Sequence, residues 1–378
     1  MKYCDAVAYM DTLPVLKKPK EQYIIPELLK RLGDPQKDLK IIYIKGTQGR
    51  ETIPAYVAMV LKCTGYKVGR YAPREVLEYR EHFQVGGKNI SMKGFCDLLE
   101  QVKEICDQMI AEGYSAPDAE AVKKAIALLY FQQQSCDFVI LSDPTDFMEN
   151  SLFVPEKVIT IWIGSESTEI PKKIKYGLEK QRFDYREYKG LEIIIAGAGQ
   201  VQNAALAIEV SDELRRTGFI IPEKALRKGL LETTCPGRFS VIGKKPFIVA
   251  DIVCTAESAV ELVRSIECYF AHKRILFVMG MSRGADYEKI INTIHPYADW
   301  IITAAPSGKS GAMSSFELAE EVAKVHSNVT AVDSPEEAIE ISCLLSGKED
   351  VIIGLGDPAF LERLMSVVSL RHNGHKDR

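Results

Sequence analysis

Between residues 24 and 32 the apolar positions recur at helical spacing (Ile24, Ile25, Leu28, Leu29, Leu32), and the turn residues GDPQ close the segment. KIIYIK (40–45) is a short β-branched run that predicts a strand, and GTQG after it predicts a turn. The spacing then predicts a helix over Thr52–Cys63, ended by Thr64-Gly65, and a strand in KVGRY. FQVGGKNIS (83–91) reads as a hairpin around Gly86-Gly87. Amphipathic helical patterns follow at about 92–112 and 117–133, then strands in DFVILS and KVITIWIG.

The stretch 165–189, SESTEIPKKIKYGLEKQRFDYREYK, is polar and strongly charged, a composition that predicts a solvated loop or a surface helix. LEIIIAG resumes strand character and leads into the helices GQVQNAALAIEVSDELRR and PEKALRKGLLE, which end near Cys235-Pro236-Gly237. From Phe239 a fresh series begins: FIVADIV, a helix from Ala256 to Tyr269, then RILFVMG, DWIITAA, NVTAV and DVIIGLG with helical patterns between them. The last residues, RHNGHKDR, read as a frayed tail. Alternating strands and helices predict an α/β fold with mostly parallel strands, divided near 235 into residues 1–235 and 236–378.

Composition narrows the function classes. A length of 378 residues suits two or three domains, and 46% hydrophobic with 26% charged residues excludes wholesale disorder. Lysine and arginine number 48 against 52 acids, so neither nucleic acid nor an anionic membrane is expected as the main partner. No apolar run reaches the ~18–20 residues that span a bilayer, and Asp5 and Asp11 interrupt the N-terminus where a signal peptide needs its apolar stretch. Nine cysteines without a CxxC pair indicate neither a zinc site nor a disulfide framework. A cytoplasmic globular protein is expected.

Strand, Gly-rich turn and helix in KIIYIKGTQGRETIPAYVAMVL aim backbone N–H groups and a helix N-terminus at the turn, which favours phosphate. A Walker loop, G-x-x-x-x-G-K-[ST], places lysine on the phosphates and a hydroxyl on magnesium. Here Arg50 holds the lysine position and Thr52, the nearest hydroxyl and candidate metal ligand, comes one residue late after Glu51. On its own the motif is weak, and a plain βα turn is the better reading of it.

IKGTQGRET, GYKVGRYAP and YREHFQVGGKNIS, in that order, resemble the folylpolyglutamate synthase / dihydrofolate synthase branch of the Mur ligase family, with its GTNGKGS loop, GYKVGLYTSPHL segment and ERI-x-ING-x-xIS hairpin. GDPQ, GAGQVQNAALAIE, PEKALRKGLLETTCPGRFSVIGKKPFIVAD and FVMGMSRGADYEKII are similar to further segments of that family, in order over most of the chain. The resemblance implies a P-loop ATPase domain and a smaller Rossmann-like C-terminal α/β domain. It also implies ATP-dependent amide formation through an acyl phosphate on a small carboxylate, with magnesium as metal.

By the same resemblance Gly46, Thr47, Gln48, Gly49, Arg50 and Thr52 form the nucleotide loop, and Asn203 faces the adenine edge, with the nucleotide-binding candidate Gln200 preceding it as in the family pattern. Arg238 matches an arginine aimed at the phosphates, and Asp251 a carboxylate near the ribose. The metal-bearing positions depart from the family: Ala72 replaces a serine, Ser142 a glutamate and Ser167 a histidine, and the segment that supplies a modified lysine has no counterpart. Arg50 replaces the loop lysine and Glu51 a glycine. Asp143, Asp146, Glu149 and Glu166 lie nearby and are candidates for substitute oxygen ligands, though solvated acids at strand ends are the commoner situation. These changes put magnesium and family-type turnover in question. Three readings follow: an active folylpolyglutamate synthase-like ligase, a ligase with another acceptor, or a pseudoenzyme that binds a nucleotide, or nothing, and acts as a binding or regulatory partner.

Overall fold

The computed structural model describes residues 1–14, 24–45, 49–72, 78–141, 158–162, 167–305 and 311–374. The chain begins with helices α1 (Tyr3–Thr12) and α2 (Ile24–Arg31), strand β1 (Ile41–Lys45), α3 (Thr52–Thr64) and β2 (Val68–Tyr71). The hairpin β3 (Phe83–Val85) and β4 (Lys88–Asn89) follows, then α4 (Met92–Ala111), α5 (Ala119–Gln133), β5 (Phe138–Leu141) and β6 (Val158–Trp162). Next come β7 (Lys172–Lys175), β8 (Gln181–Tyr185), β9 (Tyr188–Ile193), α6 (Gln200–Arg216) and α7 (Glu223–Glu232). The remainder is β10 (Ser240–Lys244), β11 (Phe247–Ile252), α8 (Ala256–Tyr269), β12 (Ile275–Gly280), α9 (Tyr287–Ile294), β13 (Trp300–Ala304), α10 (Ser315–Ala323), β14 (Val329–Val332), α11 (Pro335–Leu345), β15 (Val351–Gly356) and α12 (Pro358–Gly374).

Two compact units divide the chain, one of residues 1–170 with 203–233 and the other of 171–202 with 234–378. Residues 171–202, expected on the N-terminal side of a single cut near 235, group instead with the C-terminal residues.

In the first unit a six-stranded sheet runs β4-β3-β2-β5-β1-β6. β1 pairs in parallel with β5 (Ile41↔Val139) and with β6 (Ile41↔Val158), while β2–β3 and β3–β4 are antiparallel. β1 can sit inside the sheet because Ile41, Ile42, Tyr43 and Ile44 are all buried, the continuous apolar run that a parallel strand covered on both faces requires. α3 packs on α7 and ends at Gly65, whose φ of 108° turns the chain out of the helix. α5 starts where the Asp118 side chain accepts the Ala121 amide at 2.7 Å.

The second unit holds a six-stranded sheet in the order β10-β11-β15-β12-β13-β14, parallel except for β10, which the strand pattern missed. Residues of α8, α9 and α10 join β11, β12 and β15 in one apolar core. α8 occupies the span expected from its apolar spacing, Ala256 to Tyr269.

Two expectations are overturned. The charged stretch 165–189 contains β7, β8 and the start of β9, which form a three-stranded antiparallel sheet rather than a loop or helix. β8 alternates buried Gln181, Phe183 and Tyr185 with outward Arg182 and Asp184, so the charges are one face of a sheet. The final helix α12 runs through Gly374, past the start of the supposed frayed tail; residues 375–378 lie outside the described residues. Among the described residues no helix is long and apolar enough to cross a membrane.

Candidate functional site

The turn after β1 carries the candidate phosphate chemistry. Gly46, Thr47 and Gln48 lie outside the described residues. Gly49 has φ +64°, a backbone region that glycine enters without steric cost. Arg50 is exposed, Glu51 half-buried, and Thr52 buried as the first residue of α3. The helix starts with Ile53 N–H donating to the Gly49 carbonyl (2.8 Å) and Ala55 N–H to the Glu51 carbonyl (3.2 Å).

Asn203, in the first turn of α6, meets this turn. A Cβ built on Gly49 would press on Ile53 and lie 2.7 Å from Asn203 Oδ1. The loop glycine and the expected adenine-side asparagine are therefore in contact within the first unit. Gln200 stands one turn earlier as the first residue of α6, its N–H donating to the Gly197 carbonyl at 3.2 Å.

The approach to α6 is held by side chains that sequence reading did not single out. Tyr269 OH accepts the Gly197 amide at 3.2 Å, and Ser265 Oγ accepts the Ala198 amide at 3.0 Å. The Gln181 side-chain amide donates to the carbonyls of Ile195 (2.7 Å) and Gly197 (3.0 Å). Glu261 lies so close to Gly199 that a Cβ there would be 2.6 Å from Oε2. Gly197 and Gly199 are the only trace of this cradle in the sequence, since the groups that fill it come from β8 and α8.

Arg238 and Asp251 lie near one another in the second unit. Asp251 Oδ1 accepts the Phe239 amide at 3.2 Å, and Arg238 Nη1 reaches toward the Ile252 carbonyl at 3.4 Å. Burial pushes the Asp251 carboxyl up to about 6, against the opposing pull of Arg238 and of the Phe239 and Ile252 amides. That carboxyl sits in a site tuned to hold a proton more tightly than water would.

At the positions where the resemblance places metal ligands, Ala72 is buried and its amide donates to the His82 carbonyl at 3.1 Å. Ser167 Oγ donates to the Glu169 carbonyl at 2.6 Å. Ser142, Asp143, Asp146, Glu149 and Glu166 lie outside the described residues. Among the described residues no three His, Cys, Asp or Glu side chains converge on a metal position.

Residues 237–357 match the family model of the Mur ligase, glutamate ligase domain. A dihydrofolate synthase/folylpolyglutamate synthase of Bacillus subtilis is 22% identical over 398 residues, covering 89% of this chain and 92% of the relative. The solved folylpolyglutamate synthase of Mycobacterium tuberculosis complexed with ADP and AMPPCP superposes with TM-score 0.83 at 15% identity, covering 97% of this chain and 98% of that one. A bifunctional folylpolyglutamate synthase/dihydrofolate synthase of Yersinia pestis complexed with AMPPNP and a manganese ion gives TM-score 0.75 at 18% identity, with 98% of each chain covered. The two solved structures establish the fold, residues 237–357 match the glutamate ligase domain of Mur ligases, and over nearly its full length the chain is similar to members of the folylpolyglutamate synthase / dihydrofolate synthase branch of the Mur ligase family.

Proposed function

We propose that this chain binds a nucleoside triphosphate with a divalent cation at the turn between β1 and α3, and that its folylpolyglutamate synthase-type turnover is weak or lost. The contact between Gly49 and Asn203 carries the nucleotide half of this reading. A glycine with φ +64° packed against an asparagine brings that side chain to the N-terminus of α3, where the first helical amides favour an anion. The Thr52 hydroxyl stands at that helix start, and Asn203 presents an amide that suits a base edge. Bound ATP and its metal would supply the activated phosphoryl group and the neutralising charge.

The metal partner of the Yersinia relative is manganese, which favours a divalent cation here and lends no support to the doubt that the substituted positions raise. Weak turnover rests on the residues. Ala72 has no ligating atom, and the Ser167 hydroxyl is committed to a backbone carbonyl. Arg50 and Glu51 change the charge and shape of the loop. A nucleotide-binding pseudoenzyme that serves a protein partner is the second reading, favoured by the same two positions. Calorimetric titration with ATP, with and without magnesium, tests the nucleotide half: saturable, magnesium-dependent heat is expected, and no heat in either buffer overturns it.

A further inference from the structure

Arg70 is the one charged residue of β2 and stands where the similar family segment, GYKVGLYTSPHL, has leucine. Its Nη1 donates to the Glu51 carbonyl at 3.2 Å, the same carbonyl that accepts the first-turn bond from Ala55. Nε and Nη2 both donate to Gln84 Oε1, at 3.1 and 2.9 Å. Gln84 is the cross-strand partner of Arg70, and its own amide donates to Asn89 Oδ1 at 2.9 Å. Asn89 in turn donates to Glu78 Oε1 at 2.7 Å, and Glu78 accepts from Arg80, whose Nη1 donates to the Ile90 carbonyl at 2.9 Å. A continuous polar chain thus runs from the first turn of α3 across β2, β3 and β4.

We propose that Arg70 is a positioning residue for the anion-facing end of α3. Held in plane by Gln84, it fixes the Glu51 carbonyl and with it the backbone of Gly49–Thr52, an inference that rests on the nucleotide reading above. Only a planar fork can engage both acceptors at once; an ammonium would satisfy one of them. The placement also has an electrostatic logic. A cation beside a helix N-terminus opposes the helix dipole and becomes favourable when an anion occupies the turn. Arg70 therefore adds attraction for phosphate while bracing the backbone that receives it.

The test uses the full chain and the variants Arg70→Met, Arg70→Lys, Gln84→Leu and the Arg70→Met/Gln84→Leu pair. Hydrogen exchange of the nucleotide-free protein reads the brace directly. Arg70→Met is expected to speed exchange in residues 51–56 and leave α5 unchanged, while magnesium ATP binds about tenfold more weakly, the loss of one charge-assisted bond. Arg70→Lys recovers part of that affinity. Gln84→Leu reproduces most of the loss although Gln84 reaches the Glu51 carbonyl only through Arg70, and the paired variant is no worse than Arg70→Met alone. Unchanged exchange at 51–56, unchanged ATP affinity in Arg70→Met, or additive losses in the pair would each overturn the proposal. If the unmodified protein takes no ATP, the nucleotide reading falls, and the exchange result alone decides the role of Arg70.

Discussion

At Gly49 two constraints act on one residue, the left-handed backbone at φ +64° and the close approach of Ile53 and Asn203. Alanine is strained there by about 1–2 kcal/mol from the backbone alone, and its methyl group would have to displace the Asn203 amide. Gly49→Ala is therefore expected to weaken ATP binding by about tenfold or more and to lower the melting temperature, read by calorimetry and thermal denaturation of the same sample. Asp251 makes a different kind of prediction. Its carboxyl is raised from the ordinary 3.8 to about 6, so between those values the unfolded chain releases a proton that the folded chain keeps. Stability must then fall as pH rises through that window, by about 3 kcal/mol from this group, and the group contributes nothing below it. Asp251→Asn keeps an acceptor for the Phe239 amide and cannot ionise. Its stability relative to the unmodified protein should grow from pH 4 to pH 6.5, read by urea denaturation across that range; a constant difference would show that Asp251 does not titrate as its surroundings imply.

Helix α7 lies on α3 through Gly229, where a Cβ would be 2.5 Å from Val60 Cα and 2.6 Å from Val60 N. Alanine at Gly229 gains about 1 kcal/mol of helix propensity. The clash is with backbone, which cannot rotate away, so overpacking at about 1–3 kcal/mol or more decides the sign. Gly229→Ala should lower the urea midpoint, and because α3 leads out of the phosphate turn, ATP affinity should fall with it. Such contacts explain what the sequence could and could not reveal. Strand β1, helix α3 and helix α8 were legible because each carries an uninterrupted apolar spacing with a clear stop, Gly65 for α3. The β7–β9 sheet was not, because its charged outer face swamps the period-two pattern of Gln181, Phe183 and Tyr185. At the candidate site Gly49 and Asn203 announced themselves through a segment order resembling a known family. Arg70, Ser265 and Tyr269 did not, since each bonds backbone far away in sequence, nor did Glu261, which only packs close to Gly199, and nothing local marks any of them.

At the scale of the whole molecule, a fold shared with solved folylpolyglutamate synthases is combined with other residues at the positions to which the resemblance assigns metal and phosphate contacts. Phosphoryl transfer from ATP to a carboxylate brings like charges together, and enzymes offset this with metal ions and fixed donors in a site where charge interactions are several-fold stronger than in water. Where the resembling family loop has lysine and glycine this chain has Arg50 and Glu51, and Ala72 and Ser167, at the positions the resemblance assigns to the metal, offer neither imidazole nor carboxylate. Binding and turnover should therefore separate. If the Gly49–Asn203 contact and the α3 N-terminus hold a nucleotide as proposed, magnesium ATP should raise the melting temperature. With a reduced folate and glutamate added, steady-state phosphate release should stay well below the ~1 s⁻¹ typical of enzymes, since the loss of even one stabilising group costs about 10²–10³ in rate. Turnover at or above that rate would show that other side chains have taken over the metal. Alanine substitutions at Asp143, Asp146, Glu149 and Glu166, one at a time, would then identify them by which one abolishes the rate while leaving ATP bound.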